Sequence, residues 1–212
     1  MSDARTTDRR PDLRTRLIDA AESKIAEKGL AGLKARDVTQ LAGCALGAIY
    51  NAVADLDELV QRVNSRTLAR LGEALAPASA AATPEVVMLA LADAYAVFAL
   101  QNRKLWSALF EHRLPDGVEM ADWHRQDHEV LIARIGAPLA AIRPDLPADE
   151  LRYRVRTLFG AVHGVVHLAL QARLVGLPEA ALRQEVAALV MALVAGARQA
   201  VVHPDRGAIP AP

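Results

Sequence analysis

The stretch that most constrains the fold of this chain lies between residues 18 and 59. Apolar residues recur there at helical spacing (Ile18, Ala21 and Ile25), and Gly29 is placed to end that first helix. Two shorter helices are predicted over residues 36–42 and 46–51, with a glycine-containing turn at 43–45. The pattern indicates a compact three-helix unit with a helix-turn-helix at its centre.

Two short helices joined by a tight turn can place a recognition helix in the major groove of DNA. Net charge does not by itself favour nucleic acid, because the chain has 25 basic and 25 acidic residues. Residues 1–54 hold nine basic and seven acidic residues, which is only a small excess. The DNA-binding hypothesis therefore depends on the ordered motif and not on composition.

The same segment resembles the DNA-binding head of the tetracycline-repressor (TetR) family. The residues that carry the resemblance occur in order, as Ala-Ala-Glu (20–22), Ala-Glu-Lys-Gly-Leu (26–30), Arg-Asp-Val (36–38), Leu-Ala-Gly (41–43), Gly-Ala-Ile-Tyr-Asn (47–51) and Leu-Asp-Glu-Leu (56–59). Residues 105–113 and 159–166 resemble one C-terminal subgroup of that family. Its signature is Trp-His-Gly or Val-His-Gly, which here is Val162-His163-Gly164.

Composition favours an all-α protein. Hydrophobic residues make up 52% of the chain, alanine and leucine dominate, and aromatic residues are only 4%. We expect about nine helices, arranged as an N-terminal three-helix helix-turn-helix head and a larger C-terminal helical bundle. The single Cys44 excludes an intrachain disulfide and a cysteine-rich zinc site, and core packing is its expected role.

Four segments are predicted along the chain. They are a disordered arm (1–10), a DNA-binding domain (11–55, motif about 34–53), a ligand-binding and dimerisation domain (56–203) and a tail (204–212). Thr83 is expected to cap a helix that Pro84 opens. Later helices are predicted over residues 103–113, 119–135, 147–175 and 178–202, with Gly136 and Pro138 stopping or kinking the second of these.

The sequence predicts a soluble cytoplasmic protein without a membrane partner. Residues 1–16 are rich in Arg and Asp and lack the apolar core of a secretion signal. Two long uncharged stretches, 157–171 and 186–197, are too short to cross a bilayer.

The family resemblance implies which residues of the head meet DNA. They are Lys34, Arg36, Ala45, Leu46, Gly47, Ala48, Tyr50 and Asn51. Among them, Tyr50 can donate its phenol hydrogen to a phosphate, and Asn51 can read adenine or contact the backbone. Ala45, Leu46 and Ala48 stand where the family commonly has polar or basic residues. The alternative is a head that folds as a three-helix core but binds DNA poorly.

Small residues on the last two long helices predict a close helix–helix contact. Gly160 and Gly164 share one helix face, and the last helix is rich in alanine. The resemblance implies that these helices form a four-helix interface with a second copy of the chain. The expected interface residues are Gly160, Gly164, Ala188, Ala192 and Ala195. The alternative is that the helices pack only within one monomer.

Polar residues on the penultimate helix suggest a ligand pocket. His163, His167 and Gln171 follow one stripe of a helix that is otherwise apolar. The predicted pocket residues are Tyr95, Phe98, Trp106, Phe110, Trp123, His163 and His167. The alternative is that the aromatic residues are plain core and that the histidines bond to their neighbours.

Two histidine pairs, His124/His128 and His163/His167, have the spacing that can hold a metal ion on one helix. Neither pair contains the glutamate of a His-Glu-x-x-His enzyme motif. An exposed polar helix face explains the first pair more simply. We therefore predict neither a metal site nor a cofactor.

The sequence favours a DNA-binding regulator over other functions. We expect a homodimeric repressor that binds a double-stranded DNA operator and is released by a small-molecule effector. The alternative is a small-molecule or metal sensor whose head binds DNA weakly or not at all. An enzyme is not expected, because the sequence shows no nucleophile–base pair, phosphate-binding loop or closed metal site.

Overall fold

The described residues of the computed structural model, 9–77, 83–171 and 177–198, form only helices and turns. The α-helices are α1 (Arg9–Lys28), α2 (Ala35–Leu41), α3 (Leu56–Leu75), α4 (Pro84–Gln101), α5 (Arg103–Glu111), α6 (Asp122–Ile142), α7 (Ala148–Gln171) and α8 (Glu179–Arg198). Two 3-10 helices span Leu30–Gly32 and Leu46–Asn51. The expected all-α fold with about nine helices is confirmed.

The head is built from α1, α2 and the second 3-10 helix, packed on the start of α3. Its buried core includes Leu17, Ile25, Val38, Ile49 and Leu59. The turn after α2 contains Gly43 at a φ of 68°, a left-handed conformation that glycine adopts without a steric penalty. The apolar pattern of residues 18–59 therefore produces the three-helix unit that it predicts.

The segment predicted as the third helix of the head is a 3-10 helix. Its N-cap residue, Ala45, has no side-chain oxygen that could accept a hydrogen bond from the first turn. Burial of Ile49 holds the segment against α1 and α2. Tertiary packing, and not local helix propensity, thus fixes the position of Leu46–Asn51.

Side-chain caps fix the starts of the next two helices. Asp55 accepts a hydrogen bond from the Glu58 backbone N–H at 2.7 Å, and Glu58 accepts one from the Ala54 N–H at 2.6 Å. Thr83 accepts one from the Val86 N–H, and Pro84 opens α4 as predicted.

Helix α5 belongs to both halves of the molecule. Leu105 and Ala108 are buried in the core of the head, whereas Trp106 is buried in the core of the body. Asn64 of α3 donates a buried hydrogen bond to the carbonyl oxygen of Ala108 at 3.3 Å. The head is thus packed on α3 and α5, and both helices continue into the body.

The body surrounds α4. This helix packs against α3, α5, α6, α7 and α8. The shared core contains Leu71, Leu91, Leu139, Val166, Val186 and other apolar residues from every one of these helices.

Some predicted boundaries are wrong. Helix α1 begins at Arg9, inside the segment predicted as a disordered arm. Helix α6 continues through Pro138 to Ile142, because burial of Pro138 and Leu139 offsets the single backbone hydrogen bond that proline cannot make. The predicted ends of the last two helices, at 175 and 202, lie outside the described residues, as do residues 1–8 and the predicted tail.

By length and composition, α4 and α8 could each cross a membrane. The core helices of soluble proteins meet the same criterion, and α4 is the central helix of the body. These two helices are therefore weak evidence of membrane association.

Candidate DNA-binding and ligand-binding sites

Most of the predicted DNA-binding residues of the head are exposed to solvent. Lys34, Arg36, Ala45, Leu46, Gly47, Tyr50 and Asn51 are exposed, and Ala48 is half-buried. Tyr50 is 67% exposed, whereas its neighbour Ile49 is buried in the core. The 3-10 helix therefore turns Ile49 towards the core and exposes Leu46, Gly47, Tyr50 and Asn51 to solvent.

Two arginines of α1 hold this surface in place. Arg14 donates from Nε to the carbonyl oxygen of Ala52 at 2.7 Å, and Arg16 donates from Nη1 to that of Ala42 at 3.0 Å. Both carbonyls lie at helix ends, where backbone acceptors lack helical partners. Charge-assisted hydrogen bonds from α1 thus fix the C-terminal end of each of the two helices of the helix-turn-helix, a role that the sequence pattern does not reveal.

The body contains an apolar cavity of about 120 Å³. Its wall is formed by α3 (Leu68, Leu71, Leu75), α4, α5 (Leu109, Phe110), α6, α7 and α8. Helices α3 and α5 also carry the head, so the cavity lies against the two helices that connect body and head.

Two of the seven predicted pocket residues, Tyr95 and Phe110, line this cavity. Phe98 and Trp106 are buried in the core of the body outside the cavity wall. The other three lie outside the wall as well; they are Trp123, His163 and His167. Trp123 lies at the start of α6, where the Arg62 guanidinium is 5.0 Å from its ring centroid.

His163 stands behind the cavity wall in an aromatic cluster. Its Nδ1 is 2.9 Å from the Tyr95 hydroxyl, and its ring centroid is 4.1 Å from that of Phe110. Burial raises the pKa of Tyr95, and burial together with the charge of His167 lowers the pKa of His163. Both groups are therefore neutral near pH 7, and their hydrogen bond positions Tyr95 in the wall.

Two polar residues of the wall are missing from the predicted pocket. His128 and Arg134 of α6 both line the cavity. The buried His128 Nε2 and Arg134 Nε have no hydrogen-bond partner among the described residues. The apolar spacing of Leu131, Ile132 and Ile135 could have indicated that His128 shares their inward face.

Next to His128, a hydrogen-bonded group joins α3 to α6. Ser65 Oγ lies 2.8 Å from His124 Nδ1 and donates its hydrogen to Asp127 Oδ2. Because the serine hydrogen goes to the carboxylate, Ser65 accepts from His124, which places the imidazole hydrogen on Nδ1. His124 is only 3% exposed, and burial followed by the charge of His128 lowers its pKa to about 4.

The histidine pairs are brought together without further metal ligands. The ring centroids of His124 and His128 are 4.8 Å apart, and those of His163 and His167 are 5.5 Å apart. Within residues 9–77, 83–171 and 177–198, no group of three His, Cys, Asp or Glu side chains is arranged to hold a metal ion. Cys44 is half-buried against the core of the head, as packing requires.

The predicted dimer residues lie on a surface of α7 and α8 that other described residues leave uncovered. Gly160, Ala188, Ala192 and Ala195 are exposed, and Gly164 is half-buried. An added Cβ at Gly160 or Gly164 would meet no atom within 4 Å. The monomer therefore does not need glycine at these positions. Larger apolar residues lie on the same two helices, among them Tyr153, Leu168 and Met191, and they are exposed as well.

Residues 88–194 match the sequence model of the family "Tetracyclin repressor-like, C-terminal domain". The chain belongs to the TetR family. No curated protein matches it in sequence.

Solved structures share the fold, among them one described as a TetR-like transcriptional regulator. A protein of unknown function from Rhodococcus sp. RHA1 is 25% identical, with a TM-score of 0.71 over 88% of this chain and 96% of that one. RolR, solved in complex with resorcinol, is 21% identical, with a TM-score of 0.66, and the match covers 91% of this chain and 94% of RolR. A TetR-like transcriptional regulator from Rhodococcus sp. RHA1 is 18% identical, with a TM-score of 0.60, and the match covers 87% of this chain and 96% of that one.

The lowered pKa of His124 predicts a pH-dependent stability. Its folded-state pKa of about 4 lies below the usual value near 6.5, so the unfolded chain takes up a proton first as the pH falls. This residue should therefore lower the free energy of unfolding by about 2–3 kcal/mol between about pH 6.5 and pH 4. Urea unfolding at one protein concentration, repeated across this range, measures the loss.

His124→Gln is the matched variant, because its amide can still donate to Ser65 but does not titrate. The part of the pH dependence that comes from His124 should disappear in this variant. An unchanged slope of stability against pH would show that His124 is not held neutral by its surroundings.

Proposed function

We propose that this TetR-family protein is a cytoplasmic, homodimeric DNA-binding repressor that a small-molecule effector releases from its operator. The observation that carries the proposal is the position of the cavity. Its wall includes Leu68, Leu71 and Leu75 of α3 and Leu109 and Phe110 of α5, and both helices also pack against the head. A molecule in the cavity thus contacts the elements that hold the DNA-reading surface.

Exposure and charge in the head support DNA binding. Lys34 and Arg36 can neutralise phosphates, and Tyr50 can donate a hydrogen bond to one. The side chains of all three residues are exposed to solvent. Since Leu46 and Ala48 offer few hydrogen bonds, backbone contacts and groove shape carry more of the affinity than base contacts do.

The uncovered surface of α7 and α8 supports the homodimer. Exposed apolar and small residues on two adjacent helices lose unfavourable contact with water when a second copy covers them. A two-fold axis places the same residues of both copies in one interface and presents two heads to two half-sites. Val162-His163-Gly164 on α7 supports assignment to the Val-His-Gly subgroup.

The effector then acts by linkage. If occupied and empty cavities favour different positions of α3 and α5, the two heads fit the operator spacing in only one of the states. RolR, which shares the fold, has been solved with resorcinol. This complex supports a small organic molecule as the kind of effector.

A second function is favoured by the apolar reading surface. Leu46 is 52% exposed on the second 3-10 helix. This residue offers DNA no hydrogen bond and no charge. A sensor whose head binds DNA weakly or not at all would keep the cavity and the dimer but show no salt-sensitive DNA affinity.

Tyr50→Phe tests the DNA-binding surface. The variant removes one hydroxyl from an exposed ring, so the fold should be unaffected, while loss of a phosphate contact should weaken binding about 5- to 20-fold. Binding is measured by gel shift on DNA selected from a random double-stranded pool, and on DNA flanking the protein's own gene by protection mapping.

Tyr153→Phe is the matched control, because Tyr153 is about equally exposed, at 66%, but lies on α7 outside the head. Since Tyr153 lies near the proposed dimer surface, sedimentation equilibrium must show that the variant keeps the assembly of the wild type. It should bind the selected DNA like the wild type. Equal affinity of Tyr50→Phe and wild type would contradict the assigned contact. Recovery of no DNA sequence by the wild type would favour the sensor.

Ala192→Glu tests the dimer. A carboxylate on each copy at the predicted two-fold contact would be desolvated near its symmetry mate, so the assembly should shift to monomer. Sedimentation equilibrium measures the change. Ala133→Glu, at an exposed position of α6, should leave the assembly unchanged. A wild-type monomer, or a dimer that tolerates Ala192→Glu, would count against the interface.

A further inference from the structure

The cavity in the body has the size of one six-membered ring. Its volume is about 120 Å³. For comparison, an engineered apolar cavity of roughly 150 Å³ in another protein stays dry and binds benzene. The cavity is partly open, so a single ring fills its space, and a longer or polycyclic molecule would have to extend through the opening or displace the close-packed wall.

Three of the eighteen lining residues are polar, namely Tyr95, His128 and Arg134. The hydroxyl of Tyr95 is already bonded to His163. His128 Nε2 and Arg134 Nε are buried and have no hydrogen-bond partner within the described ranges. Buried polar groups without partners cost free energy, so two of them on one cavity wall mark the place where a bound molecule supplies the missing acceptor.

Both groups line the same cavity, from positions about 120° apart around α6. His128 and Arg134 are six residues apart on α6, which corresponds to a rise of about 9 Å along the helix. Side chains of a helix lean towards its N-terminus, so the long arginine extends back towards His128. A methyl group added at Gly72 of α3 would lie 4.0 Å from Arg134 Nη2, which places the guanidinium beside α3.

No carboxylate of the described residues forms an ion pair with this arginine, although Asp127 and Glu73 line a surface groove between α3 and α6 with it. Asp127 accepts the hydrogen of Ser65, and the ion pairs found in the described part of the chain do not include Arg134. An unpaired guanidinium beside an apolar cavity favours a ligand that carries a negative charge.

We propose that the effector is a small aromatic weak acid, whose single ring fills the apolar part of the cavity and whose carboxylate or phenolate oxygen accepts hydrogen bonds from Arg134 and from His128 in its Nε2–H tautomer. This inference rests on the proposed function, because it takes the cavity as the effector site. It adds the chemical class of the ligand and the two residues that select for charge.

Isothermal titration with three probes of similar size tests the ligand class. Benzoate carries the charge, benzamide is its neutral analogue, and toluene has only the ring. Benzoate should bind the wild type at least 10-fold more tightly than benzamide or toluene. Equal affinity for benzoate and benzamide, or no binding of benzoate, would overturn the proposal.

Two variants of Arg134 test whether its guanidinium recognises the carboxylate of the ligand. Arg134→Met should weaken benzoate binding at least 10-fold and leave toluene binding unchanged, while Arg134→Lys should recover part of the loss. Arg125→Met is the control, since Arg125 is an exposed cation of α6 outside the cavity wall. Loss of benzoate affinity in the control equal to that in Arg134→Met would contradict the assignment.

A gel shift with the selected DNA separates this inference from the proposed function. If benzoate binds through Arg134 but does not change the affinity for DNA, the ligand class is supported, and the proposal that such a ligand releases the protein from DNA is contradicted. If benzamide releases the protein from DNA as effectively as benzoate does, the effector-controlled repressor is supported, and the proposal that its cavity selects acids is contradicted.

Discussion

The rest of the structure depends on the double packing of α5. This helix of nine residues buries Leu105 and Ala108 in the head and Trp106 in the body, so neither core is complete without it. Asn64 of α3 holds it through the Ala108 carbonyl. Because closely packed interiors transmit displacement instead of absorbing it, a shift of α5 in the body must be accommodated in the head. Direct contacts of α5 thus join the wall of the cavity to the core of the head.

The polar groups around the cavity fall into two sets, and three further buried atoms without partners among the described residues, Asn64 Oδ1, Trp106 Nε1 and His167 Nδ1, belong to residues outside its wall. The Tyr95–His163 pair and the group of Ser65, His124 and Asp127 satisfy one another, and they fix the side chains behind the wall and the contact between α3 and α6. His128 and Arg134 keep unpartnered buried atoms on the wall itself. Satisfied groups give a rigid frame, whereas unsatisfied ones leave binding energy for a ligand. This contrast is the main support for placing the effector beside α6.

Local signals in the sequence predict the parts of the fold that depend on residues close together along the chain. Thr83 and Pro84 mark the start of α4, and Gly43 marks the turn of the head, because caps and left-handed turns require particular side chains. The end of α6 is not predicted, since burial of Pro138 depends on packing against other helices. His128 and Arg134 are missed for the same reason: their position on the cavity wall depends on which face of α6 meets α3 and α4. Sequence patterning places Tyr95 and Phe110 on the wall, but it does not separate them from aromatic residues, such as Trp106, that only support it.

An effector-controlled repressor requires that filling the cavity lowers the affinity of the head for DNA. Ala92→Leu tests it without an effector, because Ala92 lies on the cavity wall and the added carbons occupy part of the space a ligand would fill. Ala133→Leu, at an exposed position of α6, controls for the added apolar side chain. The decisive measurement is the dissociation constant for the selected DNA, determined for folded, dimeric samples at one salt concentration. Ala92→Leu should bind the selected DNA at least about 5-fold more weakly than the wild type and Ala133→Leu do. Equal affinity of all three proteins for the selected DNA would contradict control of DNA binding through the cavity.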